Sequence, residues 1–281
     1  MLRNYSICGR GIGISASVFP ADSENWKKFL DNSAKQDITV ECKISETLPK
    51  INGEWTKKQN CDYLISDNML YKRVYMGTID GAVIKTALDD FSEKEITLVE
   101  DSFNVLLDER YLWSTIGLTE SLLHFDSLLM HASFIEADGE AILFTAPCGT
   151  GKSTQAELWR RFAGATVING DKAGISFIEG RLCACGVPFC GTSGICENKI
   201  LPLKAIVELG QSKENTVRKL TAVSGLQAIL GNTYIDMQTP GVPLRCVELI
   251  NRILNSVNVY HLDCTPDERA VEALKSALKN E

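Results

Sequence analysis

The segment 146–154 has the residue types and the spacing of a phosphate-binding loop. It matches the pattern G-x-x-x-x-G-K-[ST] at every fixed position except the first, where alanine replaces glycine. Glycines in such a loop let backbone N–H groups turn toward phosphate oxygens, and the N-terminus of the following helix adds partial positive charge. Lys152 would then reach the β- and γ-phosphates, and the Ser153 hydroxyl would take a position on Mg²⁺. The segment therefore predicts a site for ATP and Mg²⁺. The residues predicted to contact the nucleotide are Ala146, Pro147, Cys148, Gly149, Thr150, Gly151, Lys152, Ser153 and Thr154.

The strand and the helix that must position this loop are also indicated by the sequence. Residues 141–144 are apolar and predict a buried strand, and a helix is expected from Ser153 to about Phe162. Ala146 fits the loop if its φ is negative, because only a positive φ demands glycine. The alternative interpretation is a chance glycine-rich turn before a helix.

A histidine is predicted to lie at the mouth of the loop. Two apolar segments are joined by Asp138-Gly139, a dipeptide typical of a two-residue hairpin turn. The register that this turn imposes places His131 opposite Ala146. There the imidazole could touch the transferred phosphoryl group or orient a catalytic carboxylate. The alternative is a histidine packed within a strand.

A carboxylate follows the next strand along the chain. Residues 165–168 indicate that strand, and Asn169-Gly170-Asp171-Lys172 comes directly after it. An aspartate at such a strand end can hold Mg²⁺ or accept a proton from a substrate hydroxyl. The alternative is turn chemistry alone, because Asn, Gly and Asp are common turn residues.

The other elements fall on either side of this site. Residues 1–104 contain short segments of alternating apolar and polar residues, which predict a β-rich N-terminal region without a chemical motif. Residues 104–124 have helical spacing and predict a helix that links this region to the nucleotide domain. Beyond the loop we expect a hairpin around Glu179-Gly180 and a closing helix capped by Thr265.

Composition limits the classes of partner. The 281 residues are 44% hydrophobic and 23% charged, with a net charge of −7, which is ordinary for a globular protein. A nucleic acid or an anionic membrane would favour a basic surface, so neither is expected as a partner. No apolar run approaches the roughly 18–20 residues of a membrane span. The N-terminus lacks the apolar core of a signal peptide, so the cytoplasm is the predicted location.

Ten cysteines are many for a cytoplasmic chain, and four of them lie close together. These four are Cys183, Cys185, Cys190 and Cys196. A metal site is one interpretation, although the paired C-x₂-C spacing of structural zinc is missing. The favoured interpretation is that they are small buried apolar side chains.

In their order and spacing, His131, the Gly151-Lys152-Ser153 loop and Asp171 resemble the catalytic half of the HPr kinase/phosphorylase group. That group shares its phosphate-loop fold with ATP-dependent phosphoenolpyruvate carboxykinases. The segment 257–268 is similar to related serine-kinase-like proteins, some of which are encoded beside modified-peptide biosynthesis genes. The resemblance covers about residues 125–281. It implies an α/β fold with an α+β tendency, in which a mixed sheet carries a phosphate-loop kinase core. Together with its linking helix, this domain is expected at 105–281, after the β-rich region that the residue pattern predicts at 1–104.

The resemblance also implies residue roles. Asp171 would be the base that deprotonates the acceptor hydroxyl, with His131 beside it. Lys152 would bind phosphate, and Ser153 and Asp171 would hold Mg²⁺.

Two departures separate this chain from HPr kinases. They have a paired Asp-Asp where this chain has Gly170-Asp171. Their Glu-x-Arg-Gly signature, which supplies a further magnesium ligand, has no clear counterpart here and leaves Glu197 as the candidate ligand. HPr is therefore not the expected acceptor, and reverse phosphorylase activity is not expected.

The predicted function is transfer of the γ-phosphoryl group of ATP to a hydroxyl. The acceptor would be a Ser or Thr of a peptide or protein, including a modified-peptide precursor, or a small alcohol. The alternatives are a nucleotide-responsive binding module without catalysis, a simple ATPase, and a carboxykinase-like lyase. Related kinases are often oligomers, so the resemblance also implies a homo-oligomer as one possible state.

Overall fold

A computed structural model describes residues 1–16, 23–58, 61–76, 79–102, 112–191 and 193–279. The chain is a mixed α/β protein that divides into two compact units, Met1–Phe125 and Asp126–Glu281. Each unit is built on a sheet that contains both parallel and antiparallel strand pairs. Among the described residues, no helix is both long and apolar enough to cross a membrane.

The first unit contains, within its described residues, one eight-stranded sheet with the order β1-β2-β3-β8-β7-β6-β5-β4. Its strands are β1 (Leu2–Ile7), β2 (Arg10–Ala16), β3 (Gln36–Ser45), β4 (Thr56–Lys57), β5 (Cys61–Ser66), β6 (Met69–Met76), β7 (Ile79–Ala87) and β8 (Glu93–Val99). Its helices are α1 (Glu24–Lys27), a 3₁₀ turn at Glu100–Ser102, α2 (Leu112–Thr115) and α3 (Leu118–His124). The β-rich character predicted for this region is therefore present.

The division between the units falls about twenty residues later than the predicted boundary at 104/105. The cause is α3, which packs within the first unit. Glu120 of α3 is buried, and its Oε1 lies 3.6 Å from Lys72 Nζ on β6. The buried Lys94 of β8 donates a 2.6 Å hydrogen bond to the carbonyl of Gly117. These contacts tie residues 112–124 to the first sheet.

The helix predicted over 104–124 lies partly outside the described residues, which exclude 103–111. The described part forms two short helices rather than one. Gly117 separates them with φ +58°, a left-handed conformation that interrupts a right-handed helix.

The second unit contains a sheet with the order β10-β9-β12-β13-β14-β16-β15, in which β11 also pairs with β9 and β10 also pairs with β14. Its strands are β9 (Ser127–Ala137), β10 (Glu140–Thr145), β11 (Thr166–Asn169), β12 (Lys172–Ile178), β13 (Arg181–Cys185), β14 (Ile200–Gln211), β15 (Thr216–Lys219) and β16 (Asn258–Cys264). Its helices are α4 (Lys152–Ala163), α5 (Ala222–Leu230), α6 (Val242–Leu254) and α7 (Glu268–Lys279). β10, β14 and β16 run parallel, as a strand–helix–strand crossover requires.

The hairpin between β9 and β10 has the predicted register. Its ladder runs from Glu140 opposite Ala137 to Thr145 opposite Ala132. Asp138 and Gly139 have φ values of +52° and +79°, the two positive values that this class of turn needs. The hairpin predicted around Glu179-Gly180 also forms, with two positive φ values of its own.

In the second unit, β11 and β12 both pair with the same edge of β9. The carboxyl half of β9 pairs with β10 on one side and with β11 on the other, whereas its amino half pairs with β12. β11 and β12 thus follow one another along the same edge of β9. The break between them is Gly170-Asp171, so the sheet itself brings Asp171 to the middle of β9.

Helix α4 covers one face of the parallel strands. Its Trp159 packs near Phe144 of β10, with ring centres 6.2 Å apart, in a core that also holds Val207 and Leu262. Removing each such large apolar side chain from water contributes about 1.5–3 kcal/mol. This burial anchors the helix that begins at the loop.

The closing helix begins later than its predicted cap. α7 starts at Glu268, and the preceding Asp267 accepts a 3.0 Å hydrogen bond from the backbone N–H of Arg269. Thr265, the predicted cap, instead accepts a 2.8 Å hydrogen bond from Asn215 Nδ2. The prediction was wrong because a long-range partner took the threonine hydroxyl.

Candidate functional site

The loop at 146–151 joins the end of β10 to the start of α4. Gly149 and Gly151 have φ values of +80° and +119°, and a Cβ at either position would meet nothing within 4 Å. Glycine is therefore favoured here by backbone conformation and not by lack of space. Ala146, which replaces the first glycine of the pattern, is fully buried and has a negative φ, as expected. Alanine fits that position because a negative φ makes no demand for glycine.

The ammonium group of Lys152 lies inside the curve of the loop. Its Nζ donates hydrogen bonds to the carbonyls of Ala146, at 2.8 Å, and Pro147, at 3.3 Å. Burial is the main cause that lowers the pKa of Lys152 from its usual value, while the charges of Cys148 and Asp171 raise it. The lysine is thus held over the loop and beside the site carboxylate.

The loop is also held from β14, the parallel neighbour of β10. Gln211, the last residue of β14, directs its side-chain amide toward the carbonyls of Gly149, at 3.5 Å, and Thr150, at 3.3 Å. This contact holds the Gly149-Thr150 part of the loop against the end of β14. The sequence analysis did not identify this contact, which joins residues about sixty positions apart.

His131 lies on β9 between the loop and Asp171. On one edge, the hydroxyl of Thr145 donates a 3.0 Å hydrogen bond to the His131 carbonyl. On the other edge, His131 pairs with Lys172 of β12, and the N–H of Ala132 bonds the carbonyl of Asp171 at 3.0 Å. The ladder thus carries the predicted histidine to the start of the loop.

The imidazole of His131 contacts Asp171 directly. Its Nδ1 lies 3.1 Å from the Asp171 carbonyl oxygen, 3.4 Å from Asp171 Oδ1 and 3.0 Å from the hydroxyl of Tyr234. Two of these neighbours can only accept, so a hydrogen on Nδ1 satisfies them best. Burial and the charge of Lys152 lower the pKa of His131, against the opposing effect of Asp171. The ring is therefore neutral near pH 7.

Asn169 fixes the turn that carries Asp171. Its Oδ1 accepts hydrogen bonds from the backbone N–H groups of Asp171, at 2.9 Å, and Lys172, at 3.0 Å. Its Nδ2 donates to the carbonyls of Val187, at 3.3 Å, and Phe189, at 3.1 Å. The side chain is fully buried, so these four bonds occupy both ends of its amide. Asn169-Gly170 is thus a turn, and that turn positions the carboxylate.

Ser153, one of the three predicted magnesium ligands, lies beside the turn that carries Asp171. Ser153 Oγ is 3.4 Å from the carbonyl of Gly170, the residue before Asp171. A hydroxyl and a carboxylate are the oxygen donors that Mg²⁺ prefers, and it usually keeps several waters besides. The donor set of Ser153 and Asp171 therefore fits this ion.

The third predicted ligand, Glu197, is placed differently. Its backbone N–H bonds the carbonyl of Ile168 at 2.9 Å, which fixes it beside the end of β11, but its side chain is exposed. Across the described part of the chain, no group of three or more His, Cys, Asp or Glu residues is arranged to hold a metal ion.

The space around Gly170 and Gly191 explains the departure from a paired Asp-Asp. A Cβ at Gly170 would lie 2.6 Å from Ser193 Oγ, and one at Gly191 would lie 2.9 Å from the side chain of Asp171. A second carboxylate at position 170 would therefore displace Ser193. The segment after β13 closes tightly over the single aspartate.

The cysteines are all free thiols. Of the four predicted as a possible metal site, Cys183, Cys185 and Cys196 are buried and Cys190 is half-buried. Burial raises the pKa of Cys183 despite the nearby Arg181, which keeps its thiol protonated.

Two further residues complete the site and were not predicted. Lys172 Nζ forms an ion pair with Asp171 Oδ2 and lies 5.4 Å from the centre of the Tyr234 ring. Tyr234 itself is brought in by backbone hydrogen bonds, from its N–H to Leu129 and from the His131 N–H to Asn232. Burial, followed by the charge of Asp171, raises the pKa of Tyr234, so its hydroxyl stays protonated.

The signals for these two residues differ. Lys172 is adjacent to a predicted site residue and carries a charge, so it could have been proposed from the sequence. Tyr234 is 103 positions from His131 in a segment without a motif, and nothing local points to it.

Comparisons with known proteins place this chain far from characterised ones. No protein-family model matches the sequence, and no curated protein matches it. Among solved structures, the chain is similar to the HPr(Ser) kinase/phosphatase from Coxiella burnetii, with 13% identity and a TM-score of 0.31 over 54% of this chain and 93% of that one.

Proposed function

We propose that this protein is an ATP-dependent kinase that transfers the γ-phosphoryl group to a hydroxyl of a peptide, a protein or a small alcohol. The observation that carries the proposal is the meeting of a phosphate-type loop with an Asp–His pair at its mouth. The contact between Asp171 and His131, 3.4 Å from Oδ1 to Nδ1, is the central part of it. Transfer to a hydroxyl requires a carboxylate near the acceptor, which nucleotide binding alone does not.

The loop and α4 supply phosphate binding in this proposal. Backbone N–H groups of 149–153 and the N-terminus of the twelve-residue α4 favour the negative charge of the phosphates. Lys152 exchanges the loop carbonyls for phosphate oxygens, which are stronger partners for an ammonium group than neutral carbonyls.

Asp171 acts as the base. The acceptor O–H gives its proton to the Asp171 carboxylate, the oxygen forms a bond to the γ-phosphorus, and the bond from that phosphorus to the bridging oxygen breaks. The electron pair leaves with ADP. His131 Nδ1 lies 3.1 Å from the Asp171 carbonyl and 3.4 Å from its Oδ1, so the imidazole limits the positions open to the carboxylate, and Asn169 fixes the backbone of the same residue. Positioned proton transfer of this kind typically contributes 10²–10⁴-fold to a rate.

Mg²⁺ would be held by Ser153 and Asp171. When bound, the ion would neutralise part of the phosphate charge. The work of this chain's own residues is to bind the phosphates, exclude water and take the proton.

The second candidate is a nucleotide-responsive binding module without catalysis. One observation favours it, the ion pair between Lys172 and Asp171, because Lys172 occupies the carboxylate that would have to accept the proton. The two candidates predict the same nucleotide affinity and differ in transfer.

The deciding experiment uses ATP labelled at the γ-phosphate. The full chain is incubated with labelled ATP, Mg²⁺ and a panel of acceptors, which includes serine- and threonine-containing peptides and small alcohols. Mass spectrometry then locates the label. Label on a hydroxyl, lost in Lys152→Ala, supports the kinase. Nucleotide binding without transfer to any acceptor supports the binding module, and release of labelled phosphate alone supports an ATPase.

A further inference from the structure

Lys172 brings a second ammonium group into the site, and the proposed transfer has so far left it without a role. The side chain is only 13% exposed, so it is enclosed and does not belong to a solvated face. Its Nζ is paired with Asp171 and faces the ring of Tyr234. A largely enclosed lysine beside a catalytic carboxylate calls for a chemical explanation.

The sheet places Lys172 two strands away from β10, the strand that leads into the loop. Lys172 pairs with His131 across β12 and β9, and Thr145 pairs with Ala132 across β10 and β9. Strand β9 therefore lies between Lys172 and Thr145, the last residue of β10 before the loop. Neighbouring strands lie about 5 Å apart, so Lys172 is two strand spacings, or about 10 Å, from the end of β10.

The charges around Lys172 favour an exchange of its partner, from the Asp171 carboxylate to a phosphate. Asp171 is the anion that Lys172 contacts before nucleotide arrives. A terminal phosphate carries more negative charge than a carboxylate, so it attracts an ammonium group more strongly at the same distance.

We propose that Lys172 contacts the γ-phosphoryl group of bound ATP and thereby releases the Asp171 carboxylate to accept the proton of the acceptor hydroxyl. This inference rests on the proposed function and deepens it. ADP lacks the group that Lys172 contacts, so Lys172 makes the site prefer ATP to ADP. The ring of Tyr234 limits the ammonium group to positions near Asp171 and the loop.

The test compares the affinities of the full chain for ADP and for a non-hydrolysable ATP analogue, measured by calorimetry with Mg²⁺. Lys172→Met keeps the length of the side chain and removes its charge. We expect it to weaken binding of the analogue about 10- to 100-fold, the range for a lost charge-assisted hydrogen bond, and to leave ADP binding unchanged. Lys172→Arg should retain the preference.

Two further variants exclude other causes. Lys199→Met is the matched control, because Lys199 forms an ion pair with Glu136 on the same unit and outside the site. The double variant Asp171→Asn/Lys172→Met removes the carboxylate that Lys172→Met leaves without its ion-pair partner. If the double variant regains the preference for the analogue, the loss in Lys172→Met came from repulsion between Asp171 and the phosphate, and the inference is overturned. An equal loss for both nucleotides in Lys172→Met, or no loss, would also overturn it. Thermal unfolding midpoints verify that each variant is folded.

The inference and the proposed function fail separately. If the unaltered chain transfers phosphate to no acceptor but Lys172→Met still loses its preference for the analogue, the contact stands and the kinase proposal falls. If the unaltered chain transfers phosphate and Lys172→Met keeps the preference for the analogue, the kinase proposal stands and the contact between Lys172 and the γ-phosphoryl group falls. An unaltered chain that binds neither nucleotide overturns both.

Discussion

At the scale of single residues, the site depends on the Asp171 carboxylate, which has neighbours on three sides. Asp171 faces His131 and Lys172, and a Cβ on Gly191 would contact it at 2.9 Å. These neighbours limit the orientations that the carboxylate can take. Changes at this residue and at Lys152 should separate binding from chemistry.

Asp171→Asn should keep ATP binding and lower transfer by roughly 10²-fold or more, because the amide cannot accept the proton of the acceptor. Lys152→Ala should instead abolish nucleotide binding, since it removes the ammonium group inside the loop. Calorimetry measures the binding, and transfer of labelled phosphate measures the rate. Asp267→Asn, an exposed aspartate paired with Arg269, is the control. Unchanged turnover in Asp171→Asn would contradict its role as base.

His131 should make stability depend on pH. Burial lowers its pKa in the folded chain below the usual 6.5, so the unfolded chain binds more protons between the two pKa values. The contribution is present in full above pH 6.5 and is lost as pH falls toward the folded pKa. Urea unfolding from about pH 7.5 to about pH 5 should therefore show a steeper loss of stability in the native chain than in His131→Gln. Parallel pH curves for the two proteins would contradict this expectation.

At the scale of elements, the turn between β11 and β12 places Asp171 beside His131 of β9. Asn169 uses both ends of its amide there, and its partners at Val187 and Phe189 come from the segment after β13. The turn is consequently sensitive to a change of one atom.

Asn169→Asp keeps an oxygen that accepts from the two backbone N–H groups. Its second carboxylate oxygen takes the place of Nδ2 and faces two carbonyl oxygens, which repel it. We expect a loss of about 3 kcal/mol or more in the free energy of unfolding, because a buried charge replaces two donated hydrogen bonds. Asn251→Asp, at an exposed position on α6, is the control and should change stability little. Denaturant unfolding gives both values, and equal stability of the two variants would show that the four bonds matter less than their geometry suggests.

At the scale of the whole molecule, every residue of the candidate site lies within Asp126–Glu281. That unit has its own core around Phe144, Trp159 and Leu262. The first unit holds α3 through the buried Glu120 and through a 2.7 Å hydrogen bond from Ser121 to the carbonyl of Phe91.

A chain of residues 126–281 should therefore fold cooperatively and bind ATP without the first unit. A chain of residues 105–281, which begins at the predicted boundary, should expose apolar side chains of α3 such as Leu118 and Leu122 that are buried in the complete protein. We expect the longer fragment to bind a hydrophobic dye and to aggregate, whereas the shorter one stays monodisperse. Equal behaviour of the two fragments in light scattering would mean that α3 contributes little to the first unit.

The sequence by itself determined the features that depend on neighbouring residues. Gly149 and Gly151 indicated the loop, because few other residues accept their backbone conformations. Asp138-Gly139 indicated the register of β9 against β10, through turn geometry alone. That register carried His131 to the start of the loop, and the position of Asp171 after its strand followed from the order of the elements.

Tertiary structure alone decided the parts that join distant segments. Gln211 on the loop, Tyr234 on His131, the partners of Asn169 at 187–189 and the place of α3 in the first unit have no local signal, because each depends on how whole elements pack. Packing free energy is summed over many contacts between residues far apart in the chain, so no short pattern records it. The same reason explains Thr265, whose hydroxyl was predicted to cap a helix and instead bonds Asn215, fifty positions away.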